Sequence, residues 1–246
     1  MKKGTIKQIL LITDGCSNQG EDPAAVSALA KQQGISVNVI GVLDDDQSEQ
    51  PEGLEEVEDI SQAGGGVSRI VYARSLSQTV QLVTRQAMTQ TLQGVVNKEL
   101  QEILGAETSM EDLPPEKRGE VMEVVEDLSE TSNLEILILV DTSASMNNKL
   151  ETVKESLEDL SLSLNARSGK NKFSIYTFPG KKKPVTEVMP WTPNLLNISS
   201  VFPKLTSGGI TPTGPALREA LHHFNTRPRL EGWEPTNESL YEEYNY

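Results

Sequence analysis

Cysteine is almost missing from this chain of 246 residues: Cys16 stands alone, which excludes an intramolecular disulfide and a cysteine-built zinc site. Positive charge is in deficit, with 22 Lys and Arg against 36 Asp and Glu and a formal charge of −14. Such a balance argues against a nucleic-acid partner, because a phosphate backbone is neutralised by clustered cations. The one lysine cluster, Lys181 to Lys183, follows Phe178-Pro179-Gly180 and reads as a turn between strands. Aromatics are few, and no apolar run is long enough to span a bilayer. The first such run ends at Thr13-Asp14-Gly15, lacks a small-residue cleavage site and reads as a strand. The expected setting is therefore the cytoplasm, with no membrane association.

What is present is an alternation of strands and helices. Gln8 to Thr13, Val37 to Val42 and Leu134 to Val140 are apolar on both faces, as strands buried inside a parallel sheet are. Arg69 to Ala73 and Phe173 to Phe178 are weaker strands, and Val185 to Met189 pairs with the latter as an antiparallel edge hairpin. Asp22-Pro23 supplies a cap and a first-turn proline for a helix over Ala24 to Gln33. Further helices are expected over Leu54 to Ala63, Ser75 to Leu104, Glu120 to Leu128, Lys149 to Leu164 and Pro212 to Phe224. Gly64-Gly65-Gly66 reads as a helix stop, and Gly105 to Lys117, with Pro114-Pro115, as a linker. The fold class is α/β: a Rossmann-like three-layer sandwich around a mainly parallel sheet with one antiparallel edge strand.

Chemistry concentrates where the strands end. Leu139-Val140-Asp141-Thr142-Ser143-Ala144-Ser145-Met146 sets an Asp at the end of a buried strand, with hydroxyls two and four positions later. In an open α/β sheet, ligands bind beyond the carboxyl ends of the strands. Carboxylate and hydroxyl oxygens are hard donors, suited to Mg²⁺ or Mn²⁺. Thr211, in GGITPTGP, lies in a loop before a helix, and Asp14, in LLITDG, ends another buried strand. On Asp141, Ser143 and Ser145 alone, helix capping explains the residues about as well as metal binding does.

Taken together, these segments resemble the von Willebrand factor A-type family, over residues 5–90 and 134–226. The resemblance implies a metal-ion-dependent adhesion site made of Asp141, Ser143, Ser145, Thr211 and Asp14. It implies that Ser143 and Ser145 hold the cation directly, with Thr211 direct or through water and the two Asp residues orienting around it. A cation with mostly neutral ligands stays electrophilic, so an Asp or Glu of a partner protein completes its octahedron. The order of the halves is reversed from the family's, as a circular permutation produces. Residues 1–90 then form the C-terminal half, 91–133 a helical insert or linker, 134–226 the N-terminal half and 227–246 a polar tail. The new ends fall between Asn225 and Thr5, away from the metal face. A homodimer made by exchanging half-domains is a rival arrangement.

Two other functions compete. One is a Mg²⁺-dependent phosphatase or phosphotransferase with Asp141 as nucleophile, although such haloacid-dehalogenase-type enzymes carry a second Asp where Ser143 stands. No general base or phosphate-clamping lysine is identifiable for it. The other is a scaffold with a vestigial metal site. His222 and His223 lack an acidic partner at obvious spacing and read as surface or packing residues. Asp44-Asp45-Asp46 reads as a solvated loop.

Overall fold

The computed structural model describes residues 4–15, 17–43, 51–104, 109–195, 198 and 210–226. Cys16, Asp44-Asp45-Asp46, Gly208-Gly209 and the 227–246 tail lie outside them.

Six strands form one sheet: β1 (Thr5–Thr13), β2 (Ile35–Leu43), β3 (Gly65–Tyr72), β4 (Asn133–Asp141), β5 (Asn171–Phe178) and β6 (Thr186–Thr192). Their order is β3-β2-β1-β4-β5-β6. All neighbours are parallel except β5 and β6, which form the antiparallel edge pair. Among the described residues, helices run over α1 (Pro23–Gln32), α2 (Pro51–Ala63), α3 (Leu76–Leu104), α4 (Pro115–Thr131), α5 (Leu150–Asn165) and α6 (Thr213–Thr226). No helix among the described residues is long and apolar enough to cross a membrane.

Alternation along the central strands sends side chains to two cores. Leu10 and Ile12 of β1, with Ile136 and Ile138 of β4, pack against Val80 and Val83 of α3 and Val153 and Leu157 of α5. Ile9 and Leu11, with Leu137 and Leu139, meet Val26 of α1, Ile60 of α2 and Leu217 and Leu221 of α6. The sheet is thus the middle of three layers, and β1 and β4 are covered on both faces. Each such Leu or Ile removed from water contributes about 1.5–3 kcal/mol. That explains why these strands read as continuous apolar runs rather than alternating ones.

Two segments differ from expectation. The glycine run does not only stop α2, because β3 already begins at Gly65, where the Asn38 side chain accepts a hydrogen bond from the Val67 amide at 3.0 Å. The stretch expected to be a linker is structured where it is described. Ser109 and Asp112 close a capping box around a short 3₁₀ turn with Met110 buried, and α4 starts at Pro115. A proline at the first helical position costs nothing, since its missing N–H has no partner there. Helix α3 runs unbroken through position 91, its first half against the sheet and its second half beside α4.

Candidate metal centre

Strands β1 and β4 are adjacent and in register, with Ile12 opposite Val140. Their carboxyl ends therefore bring Thr13-Asp14 and Asp141 to one edge of the sheet, although 128 positions separate Thr13 from Asp141. Asp141 is fully buried, and both its oxygens are engaged. Oδ2 accepts from the Thr13 hydroxyl at 2.8 Å, and Oδ1 from the Ser143 amide at 2.8 Å. Burial pushes its carboxyl up to about 6, against those hydrogen bonds, and the neighbouring Asp14 charge adds to the rise.

After Asp141 the chain turns sharply. The amide and hydroxyl of Thr142 both donate to the Phe178 carbonyl, at 2.7 and 3.0 Å, and Met146 anchors the following 3₁₀ turn in the core. This turn places the Ser143 and Ser145 hydroxyls 3.1 Å apart. The Ser145 hydroxyl then donates to Asp14 Oδ1 at 2.9 Å. Asp141, Ser143, Ser145 and Asp14 are therefore linked in one hydrogen-bonded cluster.

Thr211 is tied instead to the loop after β1. Its amide donates to Asn18 Oδ1 at 2.9 Å, and its carbonyl accepts from the Asn18 amide at 3.2 Å. The loop after β1 thus holds the threonine loop by its backbone, and Thr211 is nearly buried.

One charged residue in the cluster escaped sequence reasoning. Lys149 Nζ lies 2.6 Å from Asp14 Oδ2, with both side chains about 95% withdrawn from solvent (4% and 5% exposed), and 3.4 Å from the Ser145 carbonyl. A lysine thus stands at this site, and it contacts Asp14 rather than Asp141. Its only sequence signal was its place one helical turn beyond Ser145. The expectation for the histidines also needs correcting, because Glu219 lies one turn before His223 on the same face of α6. His223 Nε2 sits 3.6 Å from its carboxylate and the ring stacks on Tyr176, centroids 4.4 Å apart, so the residue packs away from the cluster.

The donor set can be tested against an ion. Among the described residues no group of three or more His, Cys, Asp or Glu side chains gathers as a metal site. An ion at the strand ends would instead meet serine hydroxyls and Asp14, all hard oxygens, where the protein already places one positive charge. The residues fit a hard divalent cation.

These features define a class: an α/β-sandwich domain with an oxygen-lined site at the carboxyl ends of its two central strands. Residues 1–86 match the von Willebrand factor type A domain, and residues 136–237 match it separately. An uncharacterized protein of Bacillus subtilis (strain 168), YabS, is 59% identical over 244 residues, covering 99% of both chains. The crystal structure of an uncharacterized protein from Alicyclobacillus acidocaldarius subsp. acidocaldarius is 44% identical, with a TM-score of 0.81 over 90% of this chain and 94% of that one. The chain belongs to the von Willebrand factor type A family.

Proposed function

We propose that this protein is a non-enzymatic binding module in which Asp141, Ser143, Ser145, Thr211 and Asp14 hold Mg²⁺ or Mn²⁺ for the carboxylate of a partner protein. The observation that carries the reading is the Ser145 hydroxyl on Asp14 at 2.9 Å, joining residues 131 positions apart at one strand-end edge. When bound, the cation supplies an electrophilic position open to an Asp or Glu. The protein's part is to hold it with neutral oxygens: Ser143 and Ser145 present hydroxyls, while Asp141 spends its carboxylate on Thr13 and the Ser143 amide. Lys149 offsets the charge of Asp14, which further spares the positive charge of the ion. The net charge of −14 makes a local cation necessary if an acidic partner is to be attracted.

The separate family matches over 1–86 and 136–237 support a permuted order of the two halves, joined by the 91–133 segment. A single-chain site is preferred to an exchanged dimer because the cost of closing the joining segment rises only slowly with its length. The burial of Asp141, with both oxygens engaged, weighs against its use as a phosphatase nucleophile. A second reading draws on Lys149: an ammonium already neutralising Asp14 is also what a scaffold with a vestigial metal site requires. A cytoplasmic location is part of the proposal and rests on the sequence alone.

Calorimetric titration of Mn²⁺ into the metal-free protein separates these readings. Saturable binding, abolished in Ser145→Ala and Asp14→Ala, supports the module. Absence of binding to the folded wild type overturns it in favour of the scaffold. Affinity capture in Mg²⁺ and release in EDTA, compared with Asp141→Ala, then tests for an acidic partner.

A further inference from the structure

The loop after β1 and the start of α6 are joined by contacts that the metal ligands alone do not require. Asn18 and Thr211 exchange two hydrogen bonds: the Thr211 amide donates to the Asn18 side-chain oxygen at 2.9 Å, and the Asn18 amide donates to the Thr211 carbonyl at 3.2 Å. Beside them the chains approach too closely for side chains. A Cβ on Gly20, whose φ is +96°, would lie 2.3 Å from Pro215 Cγ, and one on Gly214 would lie 1.9 Å from the Glu21 carbonyl oxygen. One turn along α6, the Arg218 guanidinium grips both carboxylate oxygens of Glu21. The same short loop is tied to the helices on its side of the sheet. Asp22 caps α1 through the Ala24 amide at 2.9 Å, and the Ser17 amide donates to Glu56 of α2 at 2.6 Å.

We infer that Asn18 is a positioning residue: it fixes Thr211 at the strand-end site by making residues 17–22 and the first turn of α6 a single clamped unit. Thr211 then does not move relative to the loop that follows Asp14. Any shift of Thr211 carries Glu21, and with it the cap of α1, so a change at the ion is passed to the α1–α2 layer as well as to α6. The metal arm of the test rests on the function proposed above, and the structural arm does not.

Asn18 is exposed, so its truncation leaves the core intact. Two variants, Asn18→Ala and Asn18→Asp, are made with Thr211 present and in a Thr211→Ala background. The aspartate keeps an oxygen for the Thr211 amide, and the second background, which retains that amide but lacks the hydroxyl, separates the positioning of the hydroxyl from the effect of the added charge. With Mn²⁺ as probe, Asn18→Ala is expected to weaken binding about tenfold when Thr211 is present and by less than about twofold when it is not. Asn18→Asp restores binding only in the presence of Thr211. Equal losses in both backgrounds, or no loss in either, overturn the inference. In metal-free protein, hydrogen exchange at the Thr211 amide is expected to speed up at least about tenfold in Asn18→Ala and to stay slow in Asn18→Asp. Unchanged exchange overturns the clamp whatever the metal data show. A wild type that binds no Mn²⁺ yet loses Thr211 protection on Asn18→Ala sinks the metal reading and upholds the clamp.

Discussion

Replacing Lys149 by methionine keeps the aliphatic stem and removes the ammonium from Asp14. The Lys149–Asp14 pair is 2.6 Å long with side chains only 4% and 5% exposed. An exposed ion pair is worth about 0–1 kcal/mol. Removing one partner of a buried pair instead costs about 3–5 kcal/mol, because the remaining charge is left without compensation. At about 2–4 °C per kcal/mol for a chain of this size, the melting temperature in EDTA should fall by about 6–20 °C. Divalent cation should act in the opposite direction. Without the ammonium, Asp14 has no competing cation, so Mn²⁺ supplies the charge that was removed and loses a like-charged neighbour. Saturating Mn²⁺ is therefore expected to raise the melting temperature of Lys149→Met by more than it raises that of the wild type. Thermal unfolding followed by circular dichroism, in EDTA and in Mn²⁺, reads both effects. A drop of less than about 2 °C in EDTA refutes the buried-pair estimate. Equal Mn²⁺ shifts in the two proteins refute the idea that lysine and cation share Asp14.

Three further outcomes follow from separate parts of the structure. Arg167 donates to the Ser129 and Ser132 carbonyls and to Asn171 Oδ1, at the sheet edge remote from Asp141. Arg167→Ala should lower unfolding free energy by about 3 kcal/mol in urea titration and leave Mn²⁺ affinity unchanged; an affinity loss contradicts the separation of the two ends. Gly214→Ala forces a Cβ against the Glu21 carbonyl and should cost about 2 kcal/mol, with weaker Mn²⁺ binding; a variant equal to wild type in both shows that the approach is not tight. Burial raises the Glu56 carboxyl above its usual value, outweighing the Ser17 hydrogen bond, and the charges of Asp22 and Asp59 add to the rise. The native state then holds this proton more tightly than the unfolded chain, so ionised Glu56 costs stability above the unfolded value and the cost vanishes on acidification. Glu56→Gln, which still accepts from Ser17, should melt higher than the wild type at pH 7 and match it near pH 4 in thermal unfolding; a lower melting point at pH 7 reverses the sign and refutes the account.

Sequence legibility followed the range of the interactions. β1, β2 and β4 were readable because burial on both faces leaves a continuous apolar run, a local property. α1 announced itself through Asp22-Pro23, again a local signal. Asp141, Ser143 and Ser145 could be singled out because a strand end and a turn lie within a few residues of each other. The sequence pattern makes α4 too short because Pro114-Pro115 resembles a break, whereas Pro115 occupies the one helical turn that tolerates it.

The clamp and the resident lysine obey the same rule from the other side. Asn18 and Thr211 are 193 positions apart, and Glu21 and Arg218 are 197 apart. No periodicity within either segment encodes such a pairing; it exists because α6 packs beside α1 and against β4, which brings its first turn to the loop that follows β1. Lys149 sits one helical turn after Ser145, where a solvated side chain is the ordinary expectation, and only the position of Asp14 on the neighbouring strand turns it inward. Local sequence thus states which oxygens are offered to an ion. The sheet decides what holds them in place and which charge they already meet, and on the proposed function the affinity of the site for an ion depends on both.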